Sequence, residues 1–206
     1  MESKTDIIWL ERVDSTNDEA RRHISEIDNL SVLSALEQTD GRGQHGNKWS
    51  SQPGENLTFS IVIKDFRIKS NEQSAISQVT ALSLTDFLES HEISAKIKWP
   101  NDIYVGDEKI CGILIENALK GQEIDWSIIG IGLNVNQLTF PDNLPNPISM
   151  GLCNKNKYPY DTRKLLEEFM VIFTGYYREY LNGNSMLEKL EQQFVSKLRT
   201  SLSSPQ

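Results

Sequence analysis

Apolar positions along this chain recur at two spacings. Near-strict alternation marks short strands, and recurrence every three to four residues marks helices. Ile7-Ile8-Trp9-Leu10-Glu11-Arg12-Val13 reads as a first strand, and residues 31–36 as a second that Glu37-Gln38-Thr39 carries into a loop. Leu57-Thr58-Phe59-Ser60-Ile61-Val62-Ile63 alternates as a strand with one buried face. Residues 95–99, 103–105, 109–117 and 124–133 are further strands, separated by turns at Pro100-Asn101-Asp102, Gly106-Asp107-Glu108 and Lys120-Gly121-Gln122. Helical spacing appears in residues 72–89, through Ile76, Val79, Leu84, Phe87 and Leu88. Asp161 is placed as the cap of a longer helix with a stripe of Leu165, Phe169, Ile172, Phe173, Tyr176 and Tyr180. Residues 185–198 set Leu187, Leu190, Phe194 and Leu198 on one face. Asp14-Ser15-Thr16-Asn17 offers caps to a short helix whose acids, Asp18 and Glu19, fall in the first turn. Residues 141–159 read as loop with a short helix near 148–152, and residues 201–206 as a frayed tail. The order of elements predicts an α+β fold, a mixed and largely antiparallel sheet with helices mainly on one face.

Length and charge narrow the function. The 206 residues suffice for one large domain, or one domain with a small appendage. Lys and Arg number 21 against 29 Asp and Glu, a net charge of -8, so nucleic acid is not expected as a partner. A local basic pocket built from Arg42, Lys48, Lys98 and Lys109 remains compatible with that balance. Cys111 and Cys153 fit no metal or redox spacing. They allow one disulfide, but two reduced thiols of a cytoplasmic protein are the expectation. No apolar run approaches membrane-spanning length and no signal-like segment opens the chain, so no membrane partner is expected. His23, His45 and His91 have no zinc-site spacing.

The candidate chemistry concentrates in Asp40-Gly41-Arg42-Gly43-Gln44-His45-Gly46-Asn47-Lys48-Trp49. Glycines permit close backbone approach to a ligand, and successive N–H groups in such a loop form an anion-binding concavity. Arg42 adds bidentate recognition of carboxylate or phosphate. The letters also satisfy G-x-G-x-x-G, but that pattern binds dinucleotides only where its last glycine opens a helix. Lys48-Trp49-Ser50-Ser51-Gln52-Pro53-Gly54 is loop composition, so the dinucleotide reading is rejected.

Three further stretches follow in order: Lys98-Trp99-Pro100-Asn101-Asp102, Lys109-Ile110-Cys111-Gly112-Ile113-Leu114-Ile115-Glu116, and Gly130-Ile131-Gly132-Leu133-Asn134-Val135-Asn136. With the glycine loop, in this order and spacing, they resemble the biotin protein ligases over about residues 7–136, and more loosely in the helix near 161–181. The resemblance implies the catalytic-core fold shared with class II aminoacyl-tRNA synthetases. It implies a catalytic domain at 1–185, with 186–206 as a C-terminal helix and tail. The small C-terminal domain and the N-terminal DNA-binding domain of many relatives are not evident in these residues. The implied activity has two steps. Biotin and ATP with Mg2+ give biotinyl-5′-AMP and pyrophosphate, and a lysine amine of a biotin carboxyl carrier domain then takes the biotin.

Attack of a carboxylate on a phosphate brings like charges together, so cations must hold both. Arg42 and Lys109 suit that role and are the implied catalytic pair. Ser15, Thr16, Asn17, Gln38, Gly41, Arg42, Gly43, Gln44, Lys109 and Gly112 match biotin-contacting positions. Arg42, Trp49, Lys98, Asn101 and Asn134 match nucleotide positions, and Asp102 a magnesium position. A homodimer joined at a sheet edge is implied by analogy. The loop departs from the family in carrying Gln44, His45 and Asn47 where relatives carry arginines, which implies a weaker electrostatic hold on the intermediate. The competing readings are a lipoate or octanoate ligase or transferase of the same superfamily, and a non-catalytic biotin-binding module.

Overall fold

The computed structural model describes residues 6–64, 68–100, 102–182 and 184–199. Asn101 and the expected tail lie outside the described residues, and Leu187 outside the described side chains. Seven strands form one sheet: β1 (Ile7–Val13), β2 (Val32–Gln38), β3 (Leu57–Ile63), β4 (Lys96–Lys98), β5 (Asp102–Val105), β6 (Glu108–Lys120) and β7 (Glu123–Leu133). Their spatial order is β1-β2-β3-β7-β6-β5-β4. β1 and β2 run parallel, joined by the short helix α1 (Thr16–Arg22), and every other pairing is antiparallel. The expected mixed, largely antiparallel sheet is the sheet observed, but β3 is not buried on one face only. All seven of its residues are buried, because the large core covers one face and α1 packs on the other.

Alternation decides which face does what. Phe59, Ile61 and Ile63 of β3, Cys111 and Ile113 of β6, and Ile129, Ile131 and Leu133 of β7 enter one large core. Against it pack α2 (Gln73–Ser90), α4 (Thr162–Leu181) and α5 (Asn184–Lys197). α2 is buried nearly all round, and its polar Thr80, Ser83 and Thr85 hydroxyls are satisfied by carbonyls of their own preceding turn. Asp161 caps α4 as expected, accepting from Arg163 N at 3.0 Å and Lys164 N at 3.2 Å.

The stripe of α4 needs correction. Ile172 and Tyr176 are only half-buried, while Leu166, Met170 and Tyr177 face the core. The helix contacts both the sheet and α2, so its buried arc is wider than one narrow stripe. α5 sends Leu190 and Phe194 into the same core, and Arg199 N then donates to Ile97 O at the outer edge of β4. α1 lies on the other face, over a smaller cluster of Ala20, Ile27, Leu33, Val62 and Ile128. The short helix α3 (Met150–Cys153) follows the proline-rich loop. No helix among the described residues is long and apolar enough to cross a membrane.

Candidate active site

The floor of the site is the part of the sheet that α1 leaves uncovered. On β7, Gly130 and Gly132 alternate with the core residues Ile129, Ile131 and Leu133 and so point away from the core. The register sets Gly112 of β6 and Thr58 of β3 opposite Gly132, and Leu114 and Ser60 opposite Gly130. The result is a patch of sheet almost without side chains, on which other groups lie flat. A Cβ at Gly132 would stand 2.3 Å from the Trp49 ring, one at Gly112 2.9 Å from it, and one at Gly130 2.4 Å from Asn17 Oδ1. Glycine is required at Gly130 and Gly132 by close approach, not by backbone conformation.

One wall is the start of α1. Ser15 holds the N-cap position but makes no side-chain capping bond, and Thr16 and Asn17 are inside the helix. All are buried. The backbone N–H and hydroxyl of Thr16 donate to Gln38 Oε1 at 2.8 and 3.1 Å. Ser60 donates to Asn17 Oδ1 at 2.6 Å and lies 2.8 Å from Thr16 Oγ1. Asn17 Nδ2 donates to Glu116 Oε2 at 2.8 Å. Thr16 and Asn17, which read as helix caps, therefore turn their side chains inward and bind the sheet.

The second wall is the glycine loop, folded as a small hairpin. Trp49 N donates to Gly41 O at 2.8 Å and Gly43 N to Asn47 O at 2.7 Å. The chain reverses through His45 and Gly46, at φ 56° and 79°. No helix follows Gly46, which agrees with rejecting the dinucleotide pattern. A Cβ at Gly41 would meet Trp49 O at 2.5 Å, so this glycine permits the hairpin to close. Arg42 reaches back to α1 and β6, 2.8 Å from Asp18 and 3.2 Å from Glu116. Partial burial opposes its charge, but the Glu116 and Asp18 carboxylates outweigh that and raise its pKa. Lys48 pairs with Asp40 at 2.7 Å, exposed to solvent.

The third wall is Lys109, at the start of β6. Its N–H donates to Asn146 O at 2.7 Å and its carbonyl accepts from Ile148 N at 3.0 Å, so the proline-rich loop is laced to it. Asn134 fixes that lacing, donating through Nδ2 to Ile148 O at 2.9 Å. The Lys109 ammonium sits 2.7 Å from Asp102 and 5.6 Å from the Trp49 ring centre. Lys109 and Trp49 separate two spaces. The inner pocket, of about 50 Å3, is lined by Ser15, Thr16, Asn17, Gln38, Arg42, Gly43, Gln44, Trp49, Asp102, Lys109 and Gly112, with Ile113, Leu114 and the β7 floor. The outer cavity, about 640 Å3, is lined by Trp49, Lys109 and Asn134 together with residues 47–50 and the loop from Phe140 to Pro147.

Most of the expected site residues thus meet in one place. Gly41 supports the hairpin without lining the pocket. Lys98 borders neither space, and its ammonium lies 3.3 Å from the Tyr104 hydroxyl. Sequence reasoning placed neither Asp18 nor Ser60 in the site, and it quoted Glu116, Gly130 and Gly132 only as motif letters. The alternation Ile129-Gly130-Ile131-Gly132 in a buried strand was the available signal for a bare floor.

The sequence profile of the biotin/lipoate A/B protein ligase family matches residues 9–134, more than half of the 206-residue chain. The chain belongs to that family. The matched span holds every wall of the inner pocket, from α1 to the end of β7. Among members of this ligase family, the chain is 29% identical over 176 residues to the bifunctional ligase/repressor BirA of Bacillus spizizenii, covering 83% of this chain and 53% of that one. It is 33% identical over 129 residues to the biotin–[acetyl-CoA-carboxylase] ligase of Paracoccus denitrificans, covering 61% and 53%. The chain thus spans about half the length of these curated relatives. The biotin protein ligase of Aquifex aeolicus, solved in complex with biotin and ATP, superposes at a TM-score of 0.80 and 27% identity over 94% of this chain and 78% of that one. The Leishmania major biotin protein ligase shares the fold, at a TM-score of 0.79, 23% identity, and coverage of 98% and 84%.

Proposed function

We propose that this chain activates biotin with ATP to biotinyl-5′-AMP and transfers the biotin to a lysine of a biotin carboxyl carrier domain. The observation that carries this reading is the meeting of Arg42 and Lys109, from separate elements, at one pocket floored by glycines and walled by Ser15, Thr16, Asn17 and Gln38. Likeness to the Aquifex aeolicus ligase, which was solved with biotin and ATP, supports it. The two spaces divide the substrates. Biotin takes the inner pocket, with Ser15, Thr16, Asn17 and Gln38 at its polar ring end and Gly112 beneath it. The nucleotide takes the outer cavity, against Trp49 and near Asn134.

Lys109 stands between the two and belongs where the biotin carboxylate meets the α-phosphate. In the reaction one carboxylate oxygen forms a bond to that phosphorus, and pyrophosphate leaves with the electrons of the broken P–O bond. Arg42 and Lys109 stabilise the charge that gathers there, more strongly than water would because they are already in place. In the second step the carrier amine attacks the acyl carbon and the bond from that carbon to the phosphate oxygen breaks. AMP leaves with its electrons, and the amine gives up one proton to solvent. Gly41, Gly43 and Gln44 shape the hairpin over the intermediate. Lys98, which borders neither space, is given no substrate contact, and Asn101 is kept on the nucleotide side on the motif alone.

For Mg2+ the residues give a partial fit. No group of three or more His, Cys, Asp or Glu among the described residues could hold a metal. Asp102 lines the inner pocket and not the outer cavity, and it is paired with Lys109 at 2.7 Å. Nucleotide-bound Mg2+ needs only one or two carboxylates beside the phosphates, so Asp102 could meet it only where the two spaces join at Lys109. Asp102 would hold it, and the ion would neutralise phosphate charge. We assign the chemistry to residues 1–185, with 186–206 appended, and place the protein in the cytoplasm, where ATP is plentiful; both cysteines are free. A homodimer would join at a free sheet edge and is read by light scattering.

The test is pyrophosphate release that requires biotin and ATP together, followed by labelling of a purified carrier domain. Biotin binding without pyrophosphate release would leave only a binding module. Labelling by lipoate and not by biotin would move the chain to the lipoate side of its family.

A further inference from the structure

Glu116 stands two residues beyond Leu114 on β6, and its carboxylate joins groups from two other elements, α1 and the hairpin. Oε2 accepts from Asn17 Nδ2 of α1 at 2.8 Å. Oε1 lies 3.2 Å from Arg21 Nη1 of the same helix and 3.2 Å from Arg42 Nη2 of the hairpin. Asp18 completes the ring, 2.8 Å from Arg42 and paired also with Arg21. Two arginines and two carboxylates sum to zero charge, so Arg42 is held at the pocket wall without surplus negative charge beside an anion site.

The consequence for Asn17 is equally specific. An amide can present either end, whereas an ionised carboxylate only accepts. Glu116 therefore takes the NH2 end, together with the Leu114 carbonyl at 3.3 Å, and leaves Oδ1 to Ser60 and the floor at Gly130. A site built to hydrogen-bond its ligand depends on which end faces it.

We propose that Glu116 is a positioning residue that sets both halves of the site: it fixes the orientation of the Asn17 amide and holds the Arg42 guanidinium at the wall before a ligand arrives. This rests on the ligase reading above. The experiment compares Glu116→Gln and Glu116→Met with the wild type, each also in an Arg42→Ala background. Biotin affinity is measured by calorimetry, biotin- and ATP-dependent pyrophosphate release alongside it, and thermal melting as a control. Glu116→Met, whose thioether is only a weak, uncharged acceptor, is expected to weaken biotin binding about tenfold to a hundredfold, the usual loss for a charged hydrogen bond. Glu116→Gln keeps an acceptor for Asn17, so it recovers part of that affinity, and in the Arg42→Ala background it changes affinity no further.

Wild-type affinity and turnover in folded Glu116→Met would overturn the proposal. So would a Glu116→Gln loss that persists undiminished without Arg42. If Glu116→Met does not fold, the Glu116→Gln and Arg42→Ala cycle decides alone. A wild type that binds no biotin overturns the ligase reading and this proposal together, whereas normal wild-type turnover with unaffected variants removes only the role of Glu116.

Discussion

Arg42 and Lys109 are both charged, partly exposed and tied to carboxylates, yet their substitutions should differ. The Arg42 side chain is 38% exposed and sits on the hairpin, so Arg42→Ala is expected to leave the melting temperature nearly unchanged. Its adenylation rate should fall about a hundred- to a thousandfold, the scale for losing one preorganised stabiliser of developing charge. Lys109→Ala should cost adenylation at least as much and also leave Asp102 unpaired, so a small loss of thermal stability accompanies it. Single-turnover pyrophosphate release and a melting curve separate the two.

The floor permits a sharper test. Gly132→Ala places a methyl carbon 2.3 Å from the Trp49 ring position and should expel the indole, read as a change in its fluorescence and a loss of biotin affinity. The thiols should be quiet. Burial pushes Cys153 up to about 11, with Glu108 adding to it, and burial pushes Cys111 higher still. A thiol with a pKa that high stays protonated at pH 8, so Cys153 should alkylate roughly a hundredfold more slowly than a free cysteine, and Cys111 not at all without denaturant.

At the scale of elements, the hairpin of residues 41–49 governs access. The inner pocket is about 50 Å3 with Trp49 on the floor, far below the roughly 300–1,000 Å3 of a typical ligand site. On the proposed function, a ligand the size of biotin would have to displace the indole, and the hairpin with it. Tryptophan fluorescence is expected to change on biotin addition, and the change should vanish in Trp49→Phe; a persisting signal would put the movement elsewhere. Asn134 acts on a neighbouring element. Its buried amide ties the proline-rich loop to β6, and Asn134→Ala should cost about 1–3 kcal/mol by stranding buried partners.

Strands and helices were legible in the sequence because alternation and helical spacing follow burial. β3 reads as buried on one face but is buried on both, because a helix layer covers one side and α1 the other. The α4 stripe was misjudged because a helix packed on two neighbours has a broad buried arc, which a single spacing rule understates. Motif spacing located Arg42 and Lys109. It did not show Asp18 and Glu116 as a bracket for Arg42, because an acid in a helix's first turn or within a strand looks solvated until tertiary contacts bring it to a cation. Ser15, Thr16 and Asn17 were ambiguous for the opposite reason. Their residue types are equally good as caps. Ser15 does take the N-cap position, but without a side-chain capping bond, and the closeness of the sheet draws Thr16 and Asn17 to Gln38, Ser60 and Glu116 instead.

At the scale of the molecule, stability resides in the layer between the sheet and α2, α4 and α5. Phe169 lies at its centre, 5.5 Å from the Phe59 ring centre and 5.8 Å from that of Phe87. Phe169→Ala should cost about 3–5 kcal/mol, lowering the melting temperature by roughly 10 °C for a chain of this size. Biotin affinity measured below that transition should change little, because the site lies across the sheet. β7 serves both sides at once, with Ile129, Ile131 and Leu133 in the core and Gly130 and Gly132 in the floor. A slip of one residue in the pairing of β7 exchanges the two sets. Misregistered chains would then lose their core and their substrate site in the same event, so folding errors in this strand would not accumulate as well-folded, inactive protein that still competes for biotin.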